Sequence, residues 1–262
     1  MWSYPNFNPI AFHVGSWPIY WYGLMYLVGF GVGWALLSWR TRVSPRGFTQ
    51  EQVSDIVFYV ALGGVMGGRL GYMLLYDLPM LIADPILLFK VWRGGMSFHG
   101  GILGALIALC IFARKIHKPV FALTDFIVPV VPIGIGAGRI GNFINGELWG
   151  RVTTSPFGMI FPNAGPLPRH PSQLYEFLLE GVLLFMILFI YSRKPRSLGQ
   201  VSGLFAVLYG TFRCIAECFR EPDAQIGYLF GWLTEGQLLS IPLILLGLAL
   251  IAWSQHKRQI VL

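Results

Sequence analysis

Hydrophobic positions in this chain gather into seven stretches, at about 17–39, 51–76, 97–114, 122–139, 173–192, 199–219 and 236–253. Each is close to the ~20 apolar residues that cross a bilayer's hydrocarbon core as a helix. The pattern predicts an all-α fold, a polytopic membrane protein with about seven transmembrane helices in one integral membrane domain, 1–262. The second stretch is rich in glycine, at Gly63, Gly64, Gly67, Gly68 and Gly71, which lets a neighbouring helix come close. Three polar regions stand apart. Residues 1–16, with Pro5 and Pro9, are expected to lie outside at the interface. Residues 77–95 hold Pro79, Pro85 and an amphipathic piece at 86–92, expected to lie as a helix in the interface plane. Residues 140–170, with prolines at 156, 162, 166 and 168, are too polar to span and predict a small extracytoplasmic head. A connection of that length is usually functional.

Charge gives the pattern a direction. Eleven of the 19 Lys and Arg follow the odd-numbered spans: Arg40, Arg42 and Arg46, then Arg114, Lys115 and Lys118, then Arg193, Lys194 and Arg196, then Lys257 and Arg258. The positive-inside rule therefore puts the N-terminus outside and the C-terminus in the cytoplasm. Trp17 and Trp21 flank the outer end of the first span and Trp39 its inner end, as an aromatic belt does. No Lys or Arg precedes Arg40, so the first span is expected to stay in the membrane and not to be a cleaved signal.

Composition agrees. Only 12% of residues are charged and mean hydropathy is +0.62, against about 25% charged in soluble domains. The net charge of +7 is assigned to basic cytoplasmic loops and not to a nucleic-acid partner. Cys110, Cys214 and Cys218 make no metal pattern and no even-numbered disulfide framework. The five histidines show no paired ligand spacing, so neither metal nor cofactor is expected.

Against this apolar background the polar groups within spans are costly, and they mark candidate chemistry. The densest run is 134–151, where Arg139, Asn142, Asn145 and Glu147 stand among small residues up to Gly150. With the deduced topology, Tyr22, Arg69, His99, Arg139, Arg213 and Glu217 all fall in the outer half of their spans. The blander readings are snorkelling for Arg69 and Arg139 and a helix-side ion pair for Arg213 and Glu217, spaced i,i+4. Gly136-Ala137-Gly138-Arg139-Ile140-Gly141 satisfies G-x-G-x-x-G, but a dinucleotide site needs a strand before it and a βαβ unit, which a membrane span does not supply.

Several blocks resemble one family. The 134–151 stretch, Trp21-Tyr22-Gly23-Leu24-Met25-Tyr26, Gly94-Gly95-Met96-Ser97-Phe98-His99-Gly100-Gly101, Arg169-His170-Pro171-Ser172-Gln173-Leu174-Tyr175-Glu176 and the run 199–223 look like the bacterial prolipoprotein diacylglyceryl transferases, in that family's order. The resemblance implies transfer of a diacylglyceryl group from phosphatidylglycerol to the thiol of a lipobox cysteine in a preprolipoprotein signal peptide. Glycerol phosphate would be released, at the outer face of a bacterial cytoplasmic (inner) membrane. Its partners would be those two substrates and membrane lipids. Such a displacement needs a thiolate, a stabilised phosphate leaving group and exclusion of water.

On that reading His99 is the candidate base, with His170 a second candidate. Arg139 and Arg213 would hold the phosphate, backed by Arg220 and Arg69, because a planar guanidinium fork suits phosphate oxygens. Glu147 and Glu217 would hold these forks or bind glycerol hydroxyls, Asn142 and Asn145 the headgroup, and Tyr22 would place a hydroxyl at the interface. Gly150 would permit close backbone approach. Tyr20 stands where some relatives have histidine and is not counted as catalytic. Two other classes compete. A transporter finds an echo in Gly68-Arg69-Leu70-Gly71 and Gly138-Arg139-Ile140-Gly141. A non-catalytic scaffold for lipoprotein precursors would keep the head without needing buried arginines.

Overall fold

The computed structural model describes residues 2–43, 47–222 and 227–257. Arg46, Asp223 and Arg258, named above, lie outside the described residues. In chain order come β1 (Trp2–Ser3), β2 (Ile10–Val14), β3 (Trp17–Tyr20), α1 (Trp21–Val43), α2 (Gln50–Tyr76), α3 (Leu78–Ala83), α4 (Phe98–Lys115), α5 (Val120–Ile127), α6 (Val131–Asn145), β4 (Met159–Ile160), α7 (Ser172–Glu176), a π-helical segment Phe177–Leu183, α8 (Leu184–Tyr191), α9 (Gln200–Glu217) and α10 (Glu235–Lys257).

The fold is mostly helical, with five to six candidate membrane spans among the described residues where about seven are expected, and the differences have local causes. Among the described residues five helices are by themselves long and apolar enough to cross a membrane: Trp21–Val43, Gln50–Leu75, Phe98–Lys115, Ser172–Tyr191 and Glu235–His256. Within them only 11–28% of residues are buried in the protein, so most of their apolar surface has no partner but lipid. The fourth expected span is not straight. α5 and α6 meet at a 49° bend, where Pro129 and Pro132 interrupt the amide ladder. The sixth, α9, is a regular helix that carries Arg213 and Glu217 and falls short on apolar character. The first span begins later than its hydropathy, because residues 17–20 pair back on β2 as a hairpin. Its two-residue turn starts at Gly15, which has φ +62°, a sign that glycine takes without steric cost. The expected interfacial helix at 86–92 is instead two 3₁₀ turns, Pro85–Phe89 and Val91–Arg93, following the short α3.

The chain divides into two compact units, 38–124 and the remainder. In the 38–124 unit, α2 and α4 pack backbone to backbone. A Cβ on Gly104 would run into the carbonyl oxygen of Gly63, and one on Gly67 or Gly100 into the carbonyl of the other. This is the small-residue packing that replaces hydrophobic collapse in lipid. Arg69, on α2, is buried and spends its donors on backbone. Nε and Nη2 reach Leu87 O at 3.3 and 2.7 Å, and Nη1 reaches the carbonyls of Gly94 and Gly95. It fastens the irregular 85–95 segment, adding to the Lys90 N–H bond at Leu87 O and supplying the donors for Gly94 O and Gly95 O.

In the other unit, α6 crosses the helix Ser172–Tyr191 at Gly136 and Gly181, and α9 meets α10 where Gly203 faces Gly247. The N-terminus of α9 is capped from a distance. The buried Asp125 carboxylate accepts from Gly199 N (2.7 Å), Ser202 N (2.7 Å) and Ser202 Oγ (2.6 Å), satisfying donors that a helix start leaves open. The polar connection after α6 folds against the N-terminal segment. β1 pairs with β4, and Tyr4, Met159 and Phe161 form a small core with Phe143 and Trp149 beside it.

Replacing Gly104 by Leu is expected to force α2 and α4 apart and to cost about 1–3 kcal/mol by overpacking. Gly64→Ala, whose Cβ would meet nothing nearer than 4.0 Å, serves as the control. Thermal melts in detergent that shift equally for both variants would refute this packing.

Candidate functional site

Six charged side chains meet where α6, the Ser172–Tyr191 helix and α9 come together. Glu176 and Glu180 are fully buried, four residues apart at the π-helical segment, a wide-turn distortion found mostly at functional sites. Glu176 bridges two arginines. Its Oε2 lies 3.1 Å from Arg139 Nε and its Oε1 2.7 Å from Arg213 Nη1. Glu180 adds Arg139 Nη2 at 3.4 Å and Arg213 Nη1 at 3.6 Å. Arg213 Nη2 also pairs with Glu217, one turn away on α9, and Glu217 holds Arg220 Nη1 at 3.2 Å. Three guanidiniums and three carboxylates thus form one chain of ion pairs with zero net charge. Carboxylates this buried persist because each has a cationic partner. Glu217 sits directly over Gly236, where a Cβ would collide with its carboxylate.

A second node forms around Glu147. α6 runs on to Asn145, past the expected end at 139, because Gly146 closes it in the left-handed conformation (φ +65°). Asn142 and Asn145 therefore ride on the same helix as Arg139. Both donate to Glu147 Oε1, at 2.8 and 3.3 Å. Leu148, at φ +58°, is a non-glycine residue in the left-handed region, and strain of that kind needs surroundings that enforce it. They are present. Ser172 Oγ donates to Leu148 O (2.8 Å) and Gln173 Nε2 to Glu147 O (2.6 Å). Two buried acceptors, Asn145 Oδ1 and Gln173 Oε1, have no hydrogen-bond partner among the described residues.

The remaining expected residues occupy separate places. Gly150 is a backbone junction. Its N–H donates to His170 O (2.8 Å), it bridges to Arg220, and a Cβ would meet His170 and Phe219. His170 Nδ1 lies 3.1 Å from the Tyr175 hydroxyl, with the Phe219 ring 5.2 Å from its own. Burial lowers the imidazole's pKa from its usual value, because desolvation disfavours the charged form. Tyr22 lays its ring on Gly141, and its hydroxyl is 3.3 Å from that of Tyr26. Arg69 and His99 belong to the 38–124 unit. There Arg69 holds carbonyls, as described, and His99 is exposed in the first turn of α4 beside Phe98.

Sequence reasoning did not single out Glu176, Glu180, Gln173 or Arg151. Glu180 had a readable signal, a carboxylate inside an apolar run. Arg151 had none. It acts through backbone, donating from Nε to Arg220 O (3.0 Å) and from Nη2 to Glu217 O (3.2 Å), and so ties the connection after α6 to the end of α9.

Removing one partner of a buried pair strands the other. Glu176→Ala is expected to destabilise by about 3–5 kcal/mol. Glu221→Ala, which breaks a half-exposed pair with Arg169, should cost about 0–1 kcal/mol. Equal melting temperatures for the two variants would contradict the network. His170 supplies a pH test. Its folded pKa lies below the unfolded value of about 6.5, so the unfolded chain takes up the proton first. Stability should fall as pH drops below that value, and His170→Gln should flatten the slope.

Comparison with known proteins places these features. A family model described as prolipoprotein diacylglyceryl transferase matches residues 9–253. A Coxiella burnetii (strain RSA 331 / Henzerling II) protein named phosphatidylglycerol--prolipoprotein diacylglyceryl transferase is 58% identical over 258 residues, covering 98% of this chain and 99% of that one. A Pseudomonas aeruginosa (strain UCBPP-PA14) protein of the same name is 56% identical, covering 98% and 97%. With its long apolar helices, this is an integral membrane protein.

Proposed function

We propose, for a chain that belongs to the prolipoprotein diacylglyceryl transferase family, that it moves the diacylglyceryl group of phosphatidylglycerol onto the lipobox cysteine of preprolipoproteins. The observation that carries this is identity above one half along nearly the whole of the named relatives. In the reaction a C–S bond forms at the primary glyceryl carbon. The C–O bond to phosphate breaks, glycerol phosphate leaves with the electron pair, and the thiol proton passes to a base. The work belongs to a bacterial inner membrane, with the N-terminus outside, the C-terminus in the cytoplasm and the site facing the outer leaflet.

In this reading Arg139, Arg213 and Arg220 meet the departing phosphate, oriented by Glu176, Glu180 and Glu217. Arg139 is the best placed of them, being part-exposed, with an Nη1 that enters none of the bonds above. Glu147, Asn142 and Asn145 take the glycerol headgroup. The unpartnered Asn145 Oδ1 and Gln173 Oε1 support this, because buried acceptors are normally satisfied and hydroxyl donors would complete them. His99 and His170 are the two candidate bases. His170, whose pKa burial lowers and whose Nδ1 lies beside the Tyr175 hydroxyl, is the candidate from the connection after α6. Tyr22 and Gly150 shape the approach, and Arg69 acts through the segment it fastens.

The test is mass spectrometry of a lipobox peptide incubated with purified protein and phosphatidylglycerol. A diacylglyceryl mass gain on cysteine is expected. Arg139→Ala should lose about a hundredfold or more in rate, the usual scale for an electrostatic contact made in the transition state. Arg139→Lys should stay impaired, because a point charge cannot replace a fork. No mass gain with folded protein would favour the scaffold or transporter reading.

A further inference from the structure

Span five ends in a second polar assembly, chemically the reverse of the first. Beyond Tyr191 come Arg193, Lys194 and Arg196, and with Ile187, Ile190 and Tyr191 they line a cavity of about 580 Å³. Two of the cations are held in place. The Arg196 guanidinium stacks 3.9 Å over the Tyr191 ring while its Nε donates to Tyr191 O at 3.1 Å, and Arg193 lies 5.6 Å over the Phe189 ring. Lys194 is exposed. Among the described residues no carboxylate pairs with any of the three, whereas Arg139, Arg213 and Arg220 are all paired. Three unneutralised cations therefore border an open, mostly apolar groove on the protein surface.

We propose that this cavity binds an anionic phospholipid of the leaflet at this end of the helix. The phosphate sits among Arg193, Lys194 and Arg196, and an acyl chain runs along Ile187 and Ile190 into the bilayer. A free phosphate would leave the aliphatic wall wet, and a zwitterionic lipid would leave the charge unmet. The combination of basic rim and apolar wall at a membrane surface is how anionic headgroups are recognised. This lipid is not the transfer substrate. From Glu180 to Tyr191 the helix climbs roughly 16 Å at 1.5 Å per residue, about half of a ~30 Å hydrocarbon core, so the two sites are well separated along it.

The test uses the full chain in phosphatidylcholine nanodiscs doped with a phosphatidylserine bearing a diazirine on one acyl chain. After irradiation, peptide mass spectrometry should find adducts on the segment 184–196. Loss of three surface charges lowers affinity about a hundredfold, so R193Q/K194Q/R196Q should lose those adducts while peptide lipidation is unchanged. In the wild-type protein, neither a phosphatidylcholine diazirine probe nor competition by soluble glycerol phosphate should reproduce or remove the labelling. Undiminished labelling in the triple variant, or equal labelling by the phosphatidylcholine probe, overturns the proposal. Displacement by glycerol phosphate alone would make it a small-anion site. The wild-type comparison of the two probes decides the matter even if the triple variant fails to fold.

Discussion

Taking charge out of water governs this molecule. A guanidinium or carboxylate within a span is tolerated only with a partner at hydrogen-bond range. The structure meets that demand by placing Glu176 between Arg139 and Arg213 and Glu217 between Arg213 and Arg220. Three helices are committed to the cluster, so their rotation about their own axes is fixed by it. Glu176 and Glu180, four residues apart, both lie on the side that faces the two arginines. Where no carboxylate is at hand, as for Arg69, backbone carbonyls serve instead, and the result is a structural rivet.

Close approach of backbones is the second constraint, and it follows from the first. Arg139, Glu176 and Arg213 reach one another only if their helices run close together. Gly136 against Gly181, where an added Cβ would crowd the opposing Cα, gives that approach for α6 and the helix after the head. Gly203 and Gly247 do so for α9 and α10. In lipid there is no hydrophobic gain from bringing apolar helices together, so small residues that allow dense packing take over that role.

Much of this was legible in the sequence, and the remainder was hidden for definable reasons. The long apolar helices and the polar run ending α6 follow from hydropathy and from the cost of charge in lipid. The bend at 128–130 was written in Pro129 and Pro132 but was overridden by continuous hydropathy, which is blind to a missing N–H. The hairpin of β2 and β3 was masked in the same way, since Trp17 to Tyr20 read as the start of a span. Arg213 and Glu217 could be paired on one helix by i,i+4 spacing. Their link to Glu176, 37 residues upstream of Arg213, depends on which helices touch, and one sequence carries no record of that. Arg69 shows the same limit from the other side. Its cost in the membrane was plain, but the carbonyls that satisfy it lie in an irregular segment whose path no periodicity foretells.

On the proposed chemistry, pre-pairing the arginines also shapes turnover. A bare cluster of three guanidiniums in a low-dielectric pocket would hold a phosphate monoester tightly, since charge-assisted bidentate bonds are among the strongest available. That would favour retention of glycerol phosphate once it formed. With Glu176, Glu180 and Glu217 already in place, the network starts neutral, and an arriving phosphate must share forks that are occupied. Binding of both substrate and product is weakened. The gain in charge on the leaving oxygen as the C–O bond breaks is still met by donors held in position. Arginine suits this arrangement better than lysine, because one planar fork serves a carboxylate on one edge and a phosphate on another. The carboxylates then act through the arginines, setting where the forks lie and how strongly they hold what has just been made.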